Sequence, residues 1–207
     1  MSSYLHVIRH GITEGIVKKW YYGSSDLPLI DEGYQALREF MTQDIYPPLG
    51  DADCYTSGML RADQTLQTIY GDVPFTAIPL LREMNFGNWE CKTFEELQSE
   101  PEYEEWMNNT EGSFHYPGGG DSVLTFYERI QDGLKELCGY HRLKELSHRH
   151  SGQDAVSIMV CHGGTIAAAM EHWFPGEREN FWQWIPATGR GFTVEFKEGE
   201  PFSSKAI

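Results

Sequence analysis

Short apolar segments alternate along the chain with longer segments whose apolar residues recur at helical spacing. The apolar segments predict strands at Tyr4–Ile8, Asp53–Ser57, Phe75–Leu81, Ala155–Cys161 and Gly191–Phe196. Pro79 places the third segment at a sheet edge or at the end of its strand, because proline has no N–H to donate to a neighbouring strand.

The segments with helical periodicity lie between these strands. They predict helices over 31–46, Leu60–Tyr70, 94–108, 122–146 and 164–174. Strands that alternate with helices favour an α/β fold with a mostly parallel sheet and helices on both faces. We find no repeat and no low-complexity linker. The pattern therefore predicts a single domain over residues 1–207, with a lid-like insertion around 90–120.

Composition and charge narrow the classes of partner. The 207 residues are 40% hydrophobic and 23% charged, which is typical of a globular protein that buries a core. A formal net charge of −15 disfavours nucleic acid and anionic membranes as partners. The four cysteines lack CxxC spacing, and the sequence shows neither a leader pattern nor a long apolar run. We therefore expect a cytoplasmic protein with reduced thiols.

Polar residues follow each of the first four predicted strands. In chain order they are Arg9, His10 and Gly11, then Arg61, then Arg82, Glu83 and Glu90, and finally His162, Gly163 and Gly164. Ligands of open α/β sheets bind beyond the carboxyl ends of the strands. The sequence therefore predicts that two histidines, at least two arginines and a carboxylate converge on one edge of the sheet.

This combination of side chains suits the transfer of a phosphoryl group. Guanidinium groups match phosphate oxygens, and glycines beside the histidines let backbone N–H groups approach an anion. A neutral imidazole can attack phosphorus, while a carboxyl group protonates the leaving oxygen and then activates water. No metal and no cofactor is required. Taken singly, each residue has a more ordinary role: an Arg–His pair is usually exposed, and a histidine after an apolar strand is usually structural.

Five ordered motifs between Tyr4 and Ala169 resemble the histidine phosphatase superfamily, in its phosphoglycerate mutase-like branch. They read IRHGIT, YYGSSDLPLIDEGYQA, TSGMLRADQT, LREMNFGNWE and VCHGGTI. The resemblance implies a three-layer α/β/α sandwich. It implies His10 as the phosphorylated nucleophile, Glu83 as the acid and base, and a phosphate pocket of Arg9, Arg61 and His162. Thr13, Gly23 and Gly163 are predicted as further phosphate contacts, and no metal site is expected.

The sequence departs from the family pattern at Ile16, where the family usually has asparagine, and this removes an amide donor. We expect a phosphatase that hydrolyses small phosphate monoesters through a phosphohistidine. The alternatives are phosphoglycerate mutase-type transfer, for which the chain is short, and a binder of phosphorylated ligands without catalysis. Among phosphatases, the chain also resembles α-ribazole phosphatases of cobalamin synthesis and sugar phosphatases.

The expected partner is a small phosphorylated metabolite, and a homodimer is one possible assembly. Residues 90–120, together with 170–190, are predicted to cover the site and to set specificity. The aromatic residues that suggest this rim are Trp106, Phe114, His115 and Tyr116. The acidic segment Glu95–Trp106 disfavours highly anionic substrates.

Overall fold

A sheet of six strands forms the centre of the computed structural model, which describes residues 2–207. The strands of the chain are β1 Ser3–Arg9, β2 Trp20–Tyr21, β3 Asp53–Thr56, β4 Thr76–Ala77, β5 Lys92–Thr93, β6 Ala155–Cys161, β7 Gly191–Lys197 and β8 Glu200–Ala206. The sheet order is β4-β3-β6-β1-β7-β8. The first four strands in this order are parallel, whereas β7 and β8 are antiparallel to their neighbours. This confirms the predicted mostly parallel sheet.

Helices cover both faces of this sheet. They are α1 Glu14–Val17, α2 Asp31–Thr42, α3 Leu60–Tyr70, α4 Phe94–Leu97, α5 Tyr103–Asn108, α6 Val123–His148 and α7 Gly163–Trp173. Leu5 and Val7 of β1 pack with α6 and α7 on one face, while Ile8 packs with α2 and α3 on the other. Successive side chains of a strand point to opposite faces, so β1 contributes to both cores. The predicted three-layer α/β/α sandwich is confirmed.

Several elements differ from their predicted bounds. The third predicted strand, Phe75–Leu81, corresponds to β4, which is only two residues long. A 3₁₀ turn over Pro79–Leu81 follows it in the predicted segment. The helix predicted over 31–46 ends at Thr42, and the segment 94–108 forms two short helices, α4 and α5. Strand β8 was not predicted, because it lies at an edge of the sheet and none of its seven residues is buried.

Residues 90–120 pack around a separate aromatic cluster. Its buried members are Trp89, Leu97, Phe114 and Tyr116. Strand β5 of this segment pairs antiparallel with β2, outside the central sheet. The single-domain prediction and the role of this segment as an insertion stay predictions. Within residues 2–207, no helix combines the length and the apolar character needed to cross a bilayer.

The register of the sheet brings three strand ends together. Arg9 lies opposite Cys161, and Thr56 lies opposite Val160, so β1, β3 and β6 end at the same edge. The backbone N–H of His10 continues the ladder by donating to the carbonyl of Cys161, at 2.9 Å. The residues that follow these strands therefore start from neighbouring points.

Candidate active site

His10 is buried at the end of β1, with 3% of its surface exposed. Its Nδ1 lies 2.7 Å from the carbonyl oxygen of Gly11. Because a carbonyl oxygen only accepts hydrogen bonds, Nδ1 carries the proton. The lone pair of the neutral ring is therefore on Nε2, which is the atom that can attack an electrophile.

His162 lies beside His10, with ring centroids 5.3 Å apart. Its Nδ1 accepts a hydrogen bond from Nε of Arg61 at 3.2 Å. Since a guanidinium group only donates, the proton of His162 is on Nε2, which donates to Oγ of Ser57 at 2.8 Å. Both ring nitrogens of His162 thus have protein partners, and the ring helps to hold Arg61 in place.

Both imidazoles are strongly biased towards the neutral form. Burial lowers the pKa of His10 well below its usual value, and the charges of Arg61 and Arg9 lower it further. The pKa of His162 is also well below its usual value, because of burial and then the charges of Arg61, His10 and Arg9. A neutral His10 retains the nucleophilic lone pair on its ring.

Arg61, in the first turn of α3, is fully buried and held by a loop that precedes α2. Its Nη1 donates to the carbonyl of Ser25 at 2.9 Å, and its Nη2 donates to that of Gly23 at 2.8 Å. Burial lowers the pKa of Arg61 from its ordinary value, although nearby Tyr22 and Glu83 oppose this effect. The guanidinium is therefore fixed in position before any ligand binds.

The side chain of Glu90 fixes the backbone of this loop by hydrogen bonds. The carboxylate accepts hydrogen bonds from the N–H groups of Gly23, Ser24, Ser25 and Phe86, at distances between 2.9 and 3.1 Å. Burial raises the pKa of Glu90, but the hydrogen bonds outweigh it and the net pKa is lowered. Glu90 was predicted only as one acid near the edge of the sheet, and its partners could not be inferred from spacing.

Arg9 is the last residue of β1 and is held by a different segment from this loop. Its Nη1 donates to the carbonyl of Pro186 at 2.8 Å. Its Nε is buried and has no hydrogen-bond partner within the described part of the chain. Burial lowers the pKa of Arg9, while the nearby Glu83 opposes the shift. A buried donor without a partner is costly, so Arg9 is prepared to bind an acceptor such as a phosphoryl oxygen.

The carboxylate of Glu83 is fixed by two backbone N–H groups. Oε2 accepts from Gly164, in the first turn of α7, at 2.8 Å, and Oε1 accepts from Met84 at 3.0 Å. A Cβ atom on Gly164 would lie 2.5 Å from Oε1 of Glu83. Only glycine therefore allows this helix end to approach the carboxylate, which explains one of the two glycines after His162.

Thr13 and Tyr22 form a buried hydroxyl pair beside the histidines. Thr13 Oγ1 lies 2.6 Å from the hydroxyl of Tyr22. The Tyr22 ring packs edge-on to His10, with centroids 6.5 Å apart, and the carbon of the Arg61 guanidinium lies 5.1 Å from its centroid. Tyr22 was missed in the sequence, where only its place directly before Gly23 could have drawn attention to it. Its ring fits because Gly15 has no Cβ.

Two glycines predicted as phosphate contacts differ in what they offer. Gly23 donates its N–H to Glu90 and its carbonyl accepts from Arg61, so both of its polar groups are engaged by the protein. Gly163 begins α7, and a Cβ there would lie 3.1 Å from the Arg9 guanidinium. Gly163 is therefore the better placed of the two to present an N–H to an anion next to Arg9.

A cavity of about 570 Å³ opens beside these groups, while His10, Arg61 and His162 are buried behind its lining. Arg9, Glu83, Gly163 and Gly164 line one part of it. Most of the remaining wall is aromatic or aliphatic, formed by Ile16, Trp20, Tyr21, Tyr22, Met84, Phe86, Trp106, Tyr116, Val123, Phe126, Phe181, Trp182 and Ile185. Of the predicted rim, Trp106 and Tyr116 line the cavity, whereas Phe114 is buried in the cluster around Trp89.

No group of three or more His, Cys, Asp or Glu side chains in residues 2–207 is arranged to hold a metal ion. Arg61 and Arg9 are the charged groups that act on His10, and Glu83 lies near both arginines. An arrangement of one free imidazole nitrogen, two guanidinium groups and a carboxyl group can bind a phosphoryl group, accept it and exchange a proton with it.

Known proteins share this fold and sequence pattern. The chain is 27% identical over 176 residues to the adenosylcobalamin/alpha-ribazole phosphatase of Escherichia coli, which covers 81% of this chain and 83% of that one. It is 25% identical over 177 residues to phosphoglycerate mutase-like protein 4 of Arabidopsis thaliana, covering 84% and 72%. The crystal structure of the alpha-ribazole phosphatase from Shigella flexneri has the same fold, with a TM-score of 0.72, 23% identity and coverage of 96% and 93%.

The family is identified by a match that spans almost the whole chain. The family model of the histidine phosphatase superfamily (branch 1) matches residues 5–206. This confirms the resemblance carried by the five motifs. The chain belongs to the histidine phosphatase superfamily, and its relatives include phosphatases.

Proposed function

We propose that the chain is a metal-independent phosphomonoesterase that hydrolyses small phosphate monoesters through a phosphohistidine on His10. The observation that carries the proposal is the free Nε2 of a buried, neutral imidazole, fixed by the bond from Nδ1 to Gly11. Arg61 and Arg9 supply the positive charge that a phosphoryl group requires. Thr13 and Gly163 add neutral contacts in this proposal, while Gly23 and His162 act mainly by positioning Arg61.

Two steps complete the proposed reaction. In the first, Nε2 of His10 attacks phosphorus, the P–O ester bond breaks, and the leaving oxygen takes a proton from the Glu83 carboxyl. In the second, the Glu83 carboxylate takes a proton from water, whose oxygen attacks phosphorus while the P–N bond breaks. The electron pair returns to Nε2, and inorganic phosphate leaves. The N–H groups of Gly164 and Met84 stabilise the carboxylate between the two steps.

A more specific candidate function is that of an α-ribazole phosphatase. It is favoured by the similarity to proteins of that name and by a cavity far larger than a phosphoryl group. Phosphoglycerate mutase-type transfer is less suited, because Lys19 is the one cation that lines the described cavity wall beyond the phosphate site, and most of the wall is apolar. We further expect residues 90–120 to act as a lid, since Trp106, Asn109 and Tyr116 form part of the cavity wall.

The remaining proposals concern the partner, the compartment and the assembly of the protein. A net charge of −15 supports a small phosphorylated metabolite as the partner rather than nucleic acid or an anionic membrane. Four free cysteines fit a reducing compartment, and we propose the cytoplasm. A homodimer is the assembly to test by measuring mass in solution.

Replacement of His10 tests the mechanism. In His10→Ala, we expect hydrolysis of p-nitrophenyl phosphate to fall by about a thousandfold or more, because the covalent route is lost. After mixing with substrate and rapid quenching in alkali, wild type should carry an added phosphoryl group on the peptide that contains His10. The variant His150→Ala, in an exposed turn, serves as the control. Undiminished turnover in His10→Ala, with a native melting temperature, would discard the scheme.

A further inference from the structure

The cavity of the candidate site has two chemically different parts. Arg9, Glu83 and the first turn of α7 line the phosphate end. The rest of the wall is dominated by aromatic and aliphatic side chains. A phosphate monoester whose phosphoryl group lies between Arg9 and Glu83 therefore places its leaving group against an apolar wall, because the two parts belong to one continuous cavity. A leaving group rich in hydroxyls would lose hydrogen bonds to water there, and Lys19 and Asn109 would replace only part of them.

One wall of this apolar part is a set of interlocked rings. Tyr21 packs edge-on against Phe86 and Trp106, with centroid distances of 5.5 and 5.8 Å. Phe86 in turn packs against Tyr116 at 4.9 Å. Buried Trp89 supports this group from behind, at 5.3 Å from Trp106. Rings held by several neighbours keep their orientation, so this wall offers a fixed surface for stacking.

A second part of the wall comes from the 3₁₀ turn Phe181–Trp184, of which Phe181 and Trp182 line the cavity. Trp184 anchors this turn, because its ring is buried and its Nε1 donates to Oε2 of Glu171 at 3.1 Å. The guanidinium carbon of Arg178 lies 4.7 Å from the ring centroid of Trp184. Phe181 is also held, since its ring packs against Tyr127 at 6.1 Å.

Trp182 sits between these two anchored residues and lines the same cavity. It is nevertheless 72% exposed, the largest exposed fraction among the large hydrophobic side chains in the described part of the chain. A tryptophan that borders a cavity without being covered leaves much of its apolar surface in water. A flat ligand in the cavity would cover this surface.

We propose that this apolar part of the cavity is a subsite for a flat, aromatic leaving group, and that Trp182 is its specificity-determining residue. The proposal rests on the proposed phosphomonoesterase function and specifies its substrate class. The phosphoryl group lies at His10 and Arg9, while the aromatic part of the ester lies in the cavity lined by Trp182, Tyr21 and Trp106. Trp182 has no contact with the reacting atoms and acts only through binding of the leaving group.

A comparison of two esters that release the same kind of alcohol separates recognition of the leaving group from its chemical reactivity. We choose 2-(1-naphthyl)ethyl phosphate and glycerol 1-phosphate, because both release a primary alcohol and carry the same phosphate charge. The quantity measured is kcat/KM, which reports binding and the first phosphoryl transfer even when hydrolysis of the phosphohistidine limits kcat. Wild type should prefer the naphthyl ester by about tenfold or more, the scale of one aromatic stacking contact.

Substitutions at Trp182 then test the residue itself. In Trp182→Ala, kcat/KM for the naphthyl ester should fall by about tenfold, whereas that for glycerol 1-phosphate should change by less than about twofold. Trp182→Phe should restore most of the preference, because a ring is again present. Phe202→Ala is the matched control, since Phe202 is an aromatic residue of β8 that is 58% exposed and does not line this cavity.

The outcomes distinguish this inference from the function on which it rests. Wild-type turnover of both esters without a preference, or an equal loss for both esters in Trp182→Ala, would overturn the aromatic subsite and leave the phosphatase standing. No turnover of either ester, together with no phosphohistidine, would overturn the phosphatase as well. A preference that disappears in Trp182→Ala and returns in Trp182→Phe supports the proposal.

Discussion

The substitution Glu90→Gln tests whether the hydrogen bonds from Glu90 to the loop at residues 23–25 keep Arg61 in position. Oε2 of Glu90 accepts from the N–H of Ser25 at 2.9 Å, and Oε1 accepts from Phe86 at 2.9 Å. Glutamine keeps one acceptor oxygen, but its NH₂ group faces an N–H donor where the second oxygen was. The variant therefore loses at least one hydrogen bond to a charged acceptor and weakens the others.

The expected magnitude follows from these bonds. A hydrogen bond to a charged group contributes about 1.5–3 kcal/mol, and water recovers part of this at a half-exposed loop. We expect the free energy of unfolding to fall by about 2 kcal/mol. The carbonyls of Gly23 and Ser25 hold the Arg61 guanidinium, so their displacement misplaces it. A shift of about 1 Å in such a group lowers the rate by about a hundredfold, so we expect a 10- to 100-fold drop in kcat/KM.

The assay combines urea unfolding with hydrolysis of p-nitrophenyl phosphate under conditions where the variant stays folded. Glu96→Gln is the matched control, because Glu96 accepts an N–H bond from Thr93 at the exposed start of α4, away from Arg61. This control should retain wild-type kcat/KM. The reasoning fails if Glu90→Gln keeps wild-type activity, or if Glu96→Gln loses as much activity as Glu90→Gln.

Two further predictions concern buried polar groups. Tyr22→Phe keeps the ring beside His10 but removes the hydroxyl bonded to Thr13, so it should cost about 1 kcal/mol of stability in urea unfolding and lower kcat/KM severalfold; an unchanged stability would contradict this. Burial, reinforced by His141, lowers the pKa of His6 to about 4 from 6.5. The unfolded chain therefore binds more protons between these values, and about 3 kcal/mol of stability present above pH 6.5 is lost as the pH falls towards 4. In His6→Asn, unfolding measured across this window should depend less on pH, and an unchanged slope would refute the assignment.

The elements that the sequence predicted best are those whose apolar residues follow a clear pattern. Strand β6 and helix α3 begin and end at the predicted residues, Ala155–Cys161 and Leu60–Tyr70. A strand inside a parallel sheet is apolar throughout, and this pattern has few alternatives. Strand β8 instead consists mostly of polar residues that pair with β7 through the backbone. Backbone pairing leaves no pattern of side chains from which to predict it.

The convergence of the site could be predicted because it depends on topology. Once β1 and β6 are adjacent and parallel, His10 and His162 must emerge near each other, whatever the loops do. The contacts of Glu90 and Tyr22 depend on how the loop at residues 23–25 folds across the strand ends. Loops carry no periodic pattern, so these residues could be recognised only from coordinates.

The distribution of charge explains how an acidic protein can hold an anion at this place. Arg9 and Arg61 contact carbonyl oxygens rather than carboxylates, and neither forms an ion pair in the part of the chain that the structure describes. Burial lowers the pKa of both, and the nearby Glu83 opposes this effect only in part. The neutral rings of His10 and His162 add no further repulsion. A phosphoryl group would supply the missing negative charge, so its binding relieves a desolvation cost that the free protein already bears.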